Sequence, residues 1–164
     1  MKLFIFLFIF NSFSTPILDE FRKKFPEIIS EKQVDYYLTS LENEKSTESR
    51  GYFAAMLFMK SKYVVSPIKK YNSFKKGKTI LDNIIKENKS NIEIRYLRFI
   101  FQNQLPNFLN YNANIDEDFL AITKGIENYN LETKFKKNML KNMLMVKNIT
   151  TYQTNKIKLI NQKL

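Results

Sequence analysis

Residues 90–101 read SNIEIRYLRFIF, and this stretch decides the fold. Ser90-Asn91-Ile92-Glu93 has the S-x-x-E form of a capping box, which satisfies two unpaired N–H groups at a helix start. Behind it Ile94, Tyr96, Leu97, Ile100 and Phe101 recur at helical spacing. Outward from this helix the same signature returns twice. Ser30-Glu31-Lys32-Gln33 is an S-x-x-Q box and opens a helix whose apolar side is Val34, Tyr37, Leu38 and Leu41. Asn114-Ile115-Asp116-Glu117 is a third N-cap pattern, with Asp116, Glu117 and Asp118 in the first turn, where the helix dipole favours negative charge. Phe119, Leu120, Ile122 and Ile126 give its inward side.

The remaining segments fit between these. Residues 17–25 place Ile17, Leu18, Phe21 and Phe25 on one face before Pro26. After a polar break at 43–50, residues 51–59 (GYFAAMLFM) are the most apolar part of the body and predict a central, buried helix. Gly51, Ala54 and Ala55 are small enough to admit a close neighbour. Ser66-Pro67 breaks this helix. The next one carries Tyr71, Phe74, Ile80, Leu81, Ile84 and Ile85, with Gly77 inside it. Leu105-Pro106 stops the 90–101 helix, and 105–113 reads as a loop with Phe108, Leu109 and Tyr111 turned inward. Asn130 is expected to cap the last long helix, with Phe135, Met139, Leu140, Met143, Val146 and Ile149 inward. From Thr154 the chain is polar and Lys-rich and is expected to fray.

These signals predict an all-α fold of six or seven helices in a compact antiparallel helix-pair array, as one domain at 15–153 with a flexible basic tail at 154–164. Composition agrees. The chain holds only 3 Gly and 4 Pro and no Asn-Gly, Asp-Gly or Gly-Gly pair, whereas a β fold needs many tight turns.

Residues 1–14 have the order of a secretory signal: Met1-Lys2, an apolar run from Leu3 to Phe10, then small and polar residues with cleavage after Ser12 or Ser14. The run is eight residues long. At about 1.5 Å per residue it falls short of a hydrocarbon core of about 30 Å. The expectation is export to the periplasm or beyond, with a cytoplasmic location as the alternative. No Cys follows the run to carry a lipid anchor.

From Gly51 to Phe101 the pattern resembles helix pairs of the tetratricopeptide type. Its best local match runs from Gly77 through Leu81 and Ile84 to the polar turn at Asn88. Ile84 stands where that repeat carries Ala, and the turn lacks its Pro. The order of segments is also similar to a family of small exported bacterial proteins. The resembling pieces are Phe74-Lys75-Lys76-Gly77-Lys78, the run from Asn91 to Arg98, and Pro106-Asn107-Phe108-Leu109-Asn110-Tyr111 followed by Asn114-Ile115. This resemblance covers residues 51–122. It implies fold and export and adds no mechanism.

The chain contains no His and no Cys, which removes imidazole bases, thiol nucleophiles, Cys/His zinc sites and disulfides together. Phosphate-binding Gly loops and the G-x-S-x-G nucleophile turn are missing too. Ser61-Lys62 and Ser66-Pro67-Ile68-Lys69 hold the residue types of a Ser–Lys dyad, a spacing chance supplies often. The acidic cluster at 116–118 lacks the spacing and Gly of a calcium loop. The expectation is a protein without catalysis, cofactor or metal.

Charge carries more information. Twenty-seven Lys and Arg oppose 16 Asp and Glu, a net +11. Residues 67–89 hold seven Lys against Asp82 and Glu87, a net +5, and 132–164 hold eight Lys against Glu132, a net +7. If these segments lie side by side, Lys69, Lys70, Lys75, Lys76, Lys78, Lys134, Lys137 and Lys141 form one basic face. Lys rather than Arg suits diffuse electrostatics, so an anionic membrane surface or envelope polymer fits better than nucleic acid. Arg95 and Arg98 flank Tyr96 on one helix. They fit either a clamp on a protein or peptide partner or internal pairing with Glu93 or the 116–118 turn, and pairing is the preferred expectation. Two functions are thus expected in order: an exported adaptor for a protein or peptide partner, then a basic protein that associates with anionic lipid or polymer.

Overall fold

The computed structural model describes residues 16–28 and 30–164, and these are helical without a strand among them. The leader read at 1–14 lies outside the described residues. Eight α-helices follow one another: α1 (Pro16–Lys24), α2 (Glu31–Leu41), α3 (Thr47–Lys60), α4 (Pro67–Glu87), α5 (Ile92–Gln104), α6 (Ile115–Gly125), α7 (Thr133–Leu144) and α8 (Thr151–Lys163). Short 3₁₀ turns at Asn107–Leu109 and Ile126–Asn128 flank α6.

Helix starts follow side-chain chemistry. Ser30 and Gln33 close the full capping box of α2. The Ser46 and Ser66 hydroxyls accept from backbone N–H groups at the starts of α3 and α4, and Pro67 occupies the first turn of α4. At α5 the cap is Asn91 rather than Ser90, with Asn91 Oδ1 accepting from the Ile94 N–H at 3.0 Å. Glu93 therefore sits one position short of the box and turns inward instead. Asn114 precedes α6, but its amide donates to Glu117 at 3.1 Å rather than capping the backbone.

Packing places α5 at the centre. Every residue from Ile92 to Asn103 is buried, charges included. Helix α3 runs beside it and is buried over most of its length. Neighbours in sequence pack together, most extensively α3 with α4, α5 with α6 and α2 with α3, and less so α7 with α8, α4 with α5 and α1 with α2. The odd-numbered helices also touch in succession, α1 on α3, α3 on α5 and α5 on α7, and so make one layer. Gly77 lets α4 sit tightly on α3, because a Cβ there would lie 2.9 Å from the Ala54 carbonyl oxygen.

Four expectations change. The segment after Asn130 yields two helices, so the described residues hold eight rather than six or seven. Asn130 does not cap α7, which begins at Thr133 behind Glu132. The expected frayed tail from Thr154 is instead most of α8. Thr150 and Gln153 form a full capping box, and Ile157 and Ile160 are buried against the core. Phe108, expected to fold inward, is 80% exposed, while Tyr111 is buried. Asn110 explains the difference: its left-handed φ of 48° turns the chain between them.

Candidate binding groove

Two buried charge networks flank α5. In the first, Arg22 of α1 donates through Nε and Nη2 to both oxygens of Glu93, at 2.7 and 2.6 Å. Tyr52 of α3 donates to the same carboxylate at 2.9 Å, and Arg22 also reaches Asp19 at 3.3 Å. Glu93 is 1% exposed, and burial raises its pKa against the opposing pull of Arg22 and Tyr52. Burial works against the charge of Arg22 as well, yet the paired carboxylates hold its pKa above the ordinary value. This bidentate arrangement satisfies a charge that would otherwise be costly to bury.

In the second network, Asp118 of α6 accepts from Arg98 Nε and Nη2 at 2.6 and 2.8 Å and from Arg95 Nη1 at 2.7 Å. Arg95 further holds Glu117 at 2.9 Å and the Lys89 carbonyl at 2.7 Å. Asp82 of α4 extends the network, with Arg98 at 3.6 Å and the Tyr111 hydroxyl at 3.0 Å. Burial raises the Asp118 pKa, and the two guanidinium groups oppose it.

Above the first network lies a groove of about 1370 Å³. All four odd helices line it: Leu18, Asp19, Arg22 and Lys23 from α1, Glu48 from α3, Glu93 from α5, and one face of α7. That face carries Lys134, Lys137 and Lys141 at spacings of three and four residues, so the ammonium groups form a stripe. Phe135 and Leu144, both partly exposed, supply apolar wall beside the stripe, with fully buried Leu140 behind them. The Arg22 guanidinium lies 5.5 Å from the centre of the Phe135 ring, which joins α1 to α7 across the groove. Tyr129 also lines the groove, its hydroxyl pushed up to about 12 by burial and then by Glu93.

The structure distributes the expected site residues among three places. Arg95, Arg98 and Tyr96 are buried; both arginines are engaged by acidic side chains, and the Tyr96 hydroxyl accepts from Asn142 at 2.9 Å. They form an internal brace rather than a surface clamp, because their donors are already directed at Asp118. Lys134, Lys137 and Lys141 are exposed on the groove. Lys69, Lys70, Lys75 and Lys76 are exposed on α4, whereas Lys78 is half-buried, 2.7 Å from Asp82 and 5.0 Å from the Tyr111 ring centre. Helix α4 packs chiefly on α3 and α5, and α7 on α5 and α8. The two sets of lysines thus stand on different helices, each of which packs on α5.

Sequence reading missed Arg22, Lys23 and Phe135 as groove residues. A contact between positions 22 and 93 leaves no local pattern. No family model, curated protein or solved structure matches the chain.

Proposed function

We propose that the chain is an exported, non-catalytic adaptor of helical-repeat-like build, whose groove across the odd helices binds an acidic peptide bearing apolar side chains. The observation that carries this reading is the Lys134, Lys137 and Lys141 stripe set beside the apolar wall of Phe135 and Leu144. Lys23 adds a cation from the α1 side. Such a surface rewards an acidic residue at the stripe and an apolar one at the wall, the pairing that fixes both register and partner. Succession of the odd helices supports the tetratricopeptide-like comparison, since stacked helix pairs present a continuous groove for extended ligands. Export rests on the leader pattern at 1–14. The lack of His, Cys and phosphate loops supports a binding role.

Fluorescence anisotropy with a labelled peptide alternating Glu and Leu tests the reading, with a Lys–Leu peptide as control. The expected result is saturable binding of the acidic peptide alone, weakened at least about tenfold by K134E/K137E/K141E. Equal binding of both peptides, or an unaffected triple variant, would overturn it.

A further inference from the structure

The corner between α3 and α4 has a chemistry the groove does not use. Val65 is 92% exposed, Ile68 73% and Tyr71 55%. Ile68 and Tyr71, three residues apart in the first turns of α4, are neighbours on the helix surface, and Val65 stands exposed just before the Ser66 cap. Lys62, Lys69 and Lys70 lie within three residues of them in the chain and are exposed. Among the described residues none of these three lysines has an ion pair. Between Glu48 and Asp82 the sequence contains no acidic residue at all. The first turn of α4 is likewise free of acid, so its dipole adds to the positive field.

We propose that this corner is a peripheral membrane anchor, in which Val65, Ile68 and Tyr71 enter the interface of an anionic phospholipid bilayer while Lys62, Lys69 and Lys70 meet its phosphates. Two physical arguments select this occupant. Exposed apolar side chains with exposed lysines next to them in the chain match the layering of a lipid interface, apolar beneath and anionic above. Three side chains at a corner also fall far short of the roughly 800 Å² per partner that a stable protein interface buries. Lys62, Lys69 and Lys70 are flexible point charges, suited to a fluid array of phosphates rather than one fixed anion. The anchor is independent of the α7 stripe, so it stands or falls apart from the peptide groove.

The chain has no Cys, so Ile68→Cys in the full chain takes a single environment-sensitive NBD label. The same label at Leu159→Cys on α8 reports on a surface away from the corner. Vesicles of phosphatidylcholine with phosphatidylglycerol should shift the emission of the label at position 68 to the blue and leave that at position 159 unchanged. Pure phosphatidylcholine should leave both unchanged. Adding K62E/K69E/K70E should raise the lipid concentration at half-response at least about tenfold, whereas K134E/K137E/K141E, an equal change in charge, should raise it far less. An unshifted label at position 68, equal shifts at both positions, or equal effects of the two triple variants would overturn the proposal. So would a concentration-dependent shift without lipid, which would mark the corner as a contact between copies of the chain.

Discussion

At the scale of single residues, the molecule is organised by charges placed where apolar side chains are expected. Glu93, Arg95 and Arg98 interrupt the apolar period of α5, yet all three are buried because each finds partners on other helices. The pairing of Arg95 and Arg98 with the acidic turn was legible, since both groups stand out in the sequence and need only one helix hairpin to meet. The Arg22–Glu93 pair was not, because it joins distant segments and because S-x-x-E offered Glu93 a local role. Glu117 gives a pH test of the legible network. Its hydrogen bond from Arg95, then that from Asn114, holds its pKa below the ordinary value of 4.5. A carboxylate depressed in the folded state contributes stability that is present above the unfolded value and lost as pH falls through the folded one. Asp118 runs the opposite way, its pKa raised by burial, but it is common to wild type and variant. Glu117→Gln should therefore lower stability by less than about 1 kcal/mol at neutral pH, as befits a half-exposed partner. That gap should close in urea titrations carried below about pH 4.5. A gap that persists in acid would show that Glu117 acts by packing rather than by charge.

Helices themselves were largely legible, and their ends show why. Ser30 and Ser66-Pro67 act locally, within one turn, so sequence suffices to place them. Where two cap candidates stand side by side, as at Ser90 and Asn91, local chemistry cannot choose, and the packing of Ile92 and Ile94 into the core decides. Gly77 is the case where an element-level cost finds its explanation only in three dimensions. Glycine inside a helix loses about 1 kcal/mol relative to Ala. Here the missing Cβ makes room for the Ala54 carbonyl, with Leu57 Cβ and Phe58 Cε1 each at 3.4 Å from where it would stand. The obstructing atom is backbone, so it cannot swing aside. Gly77→Ala should gain propensity and still destabilise the protein, since overpacking of this kind costs about 1–3 kcal/mol. At Gly125 the nearest atom to a Cβ is the tip of the Ile92 side chain, which can turn. Gly125→Ala should thus be tolerated better, and paired denaturant melts of the two variants measure the contrast.

For the molecule as a whole, the two basic segments stand on different helices that both pack on α5, and each has its own setting. The α7 stripe faces a groove with apolar walls, and Lys69 and Lys70 of α4 stand beside exposed Ile68 and Tyr71. Sequence resolved the charge into two segments, but that both helices pack on α5 is visible only in three dimensions. The last helix was hidden for a related reason. Between Gln153 and Lys163 only Ile157 and Ile160 reach the core, so hydropathy alone reads the segment as a polar tail. Its real signal is the Thr150–Gln153 capping box followed by that i, i+3 pair. Helix α8 then closes the fold by packing on α6 and α7, with Tyr152 edge-on to Phe119 at 6.1 Å. A frayed tail and a packed helix differ sharply in what they predict for a single deletion of side-chain volume. Ile157 has no exposed surface, so Ile157→Ala should remove about 2–5 kcal/mol from the stability of the entire chain. Leu159, half-exposed two residues on, should change it by no more than about 0.5 kcal/mol when replaced by Ala. If α8 is part of the cooperative unit, the Ile157 loss appears in the unfolding of every helix at once, read by far-ultraviolet circular dichroism. Equal and negligible effects of the two substitutions would mean that the fold closes without its last helix.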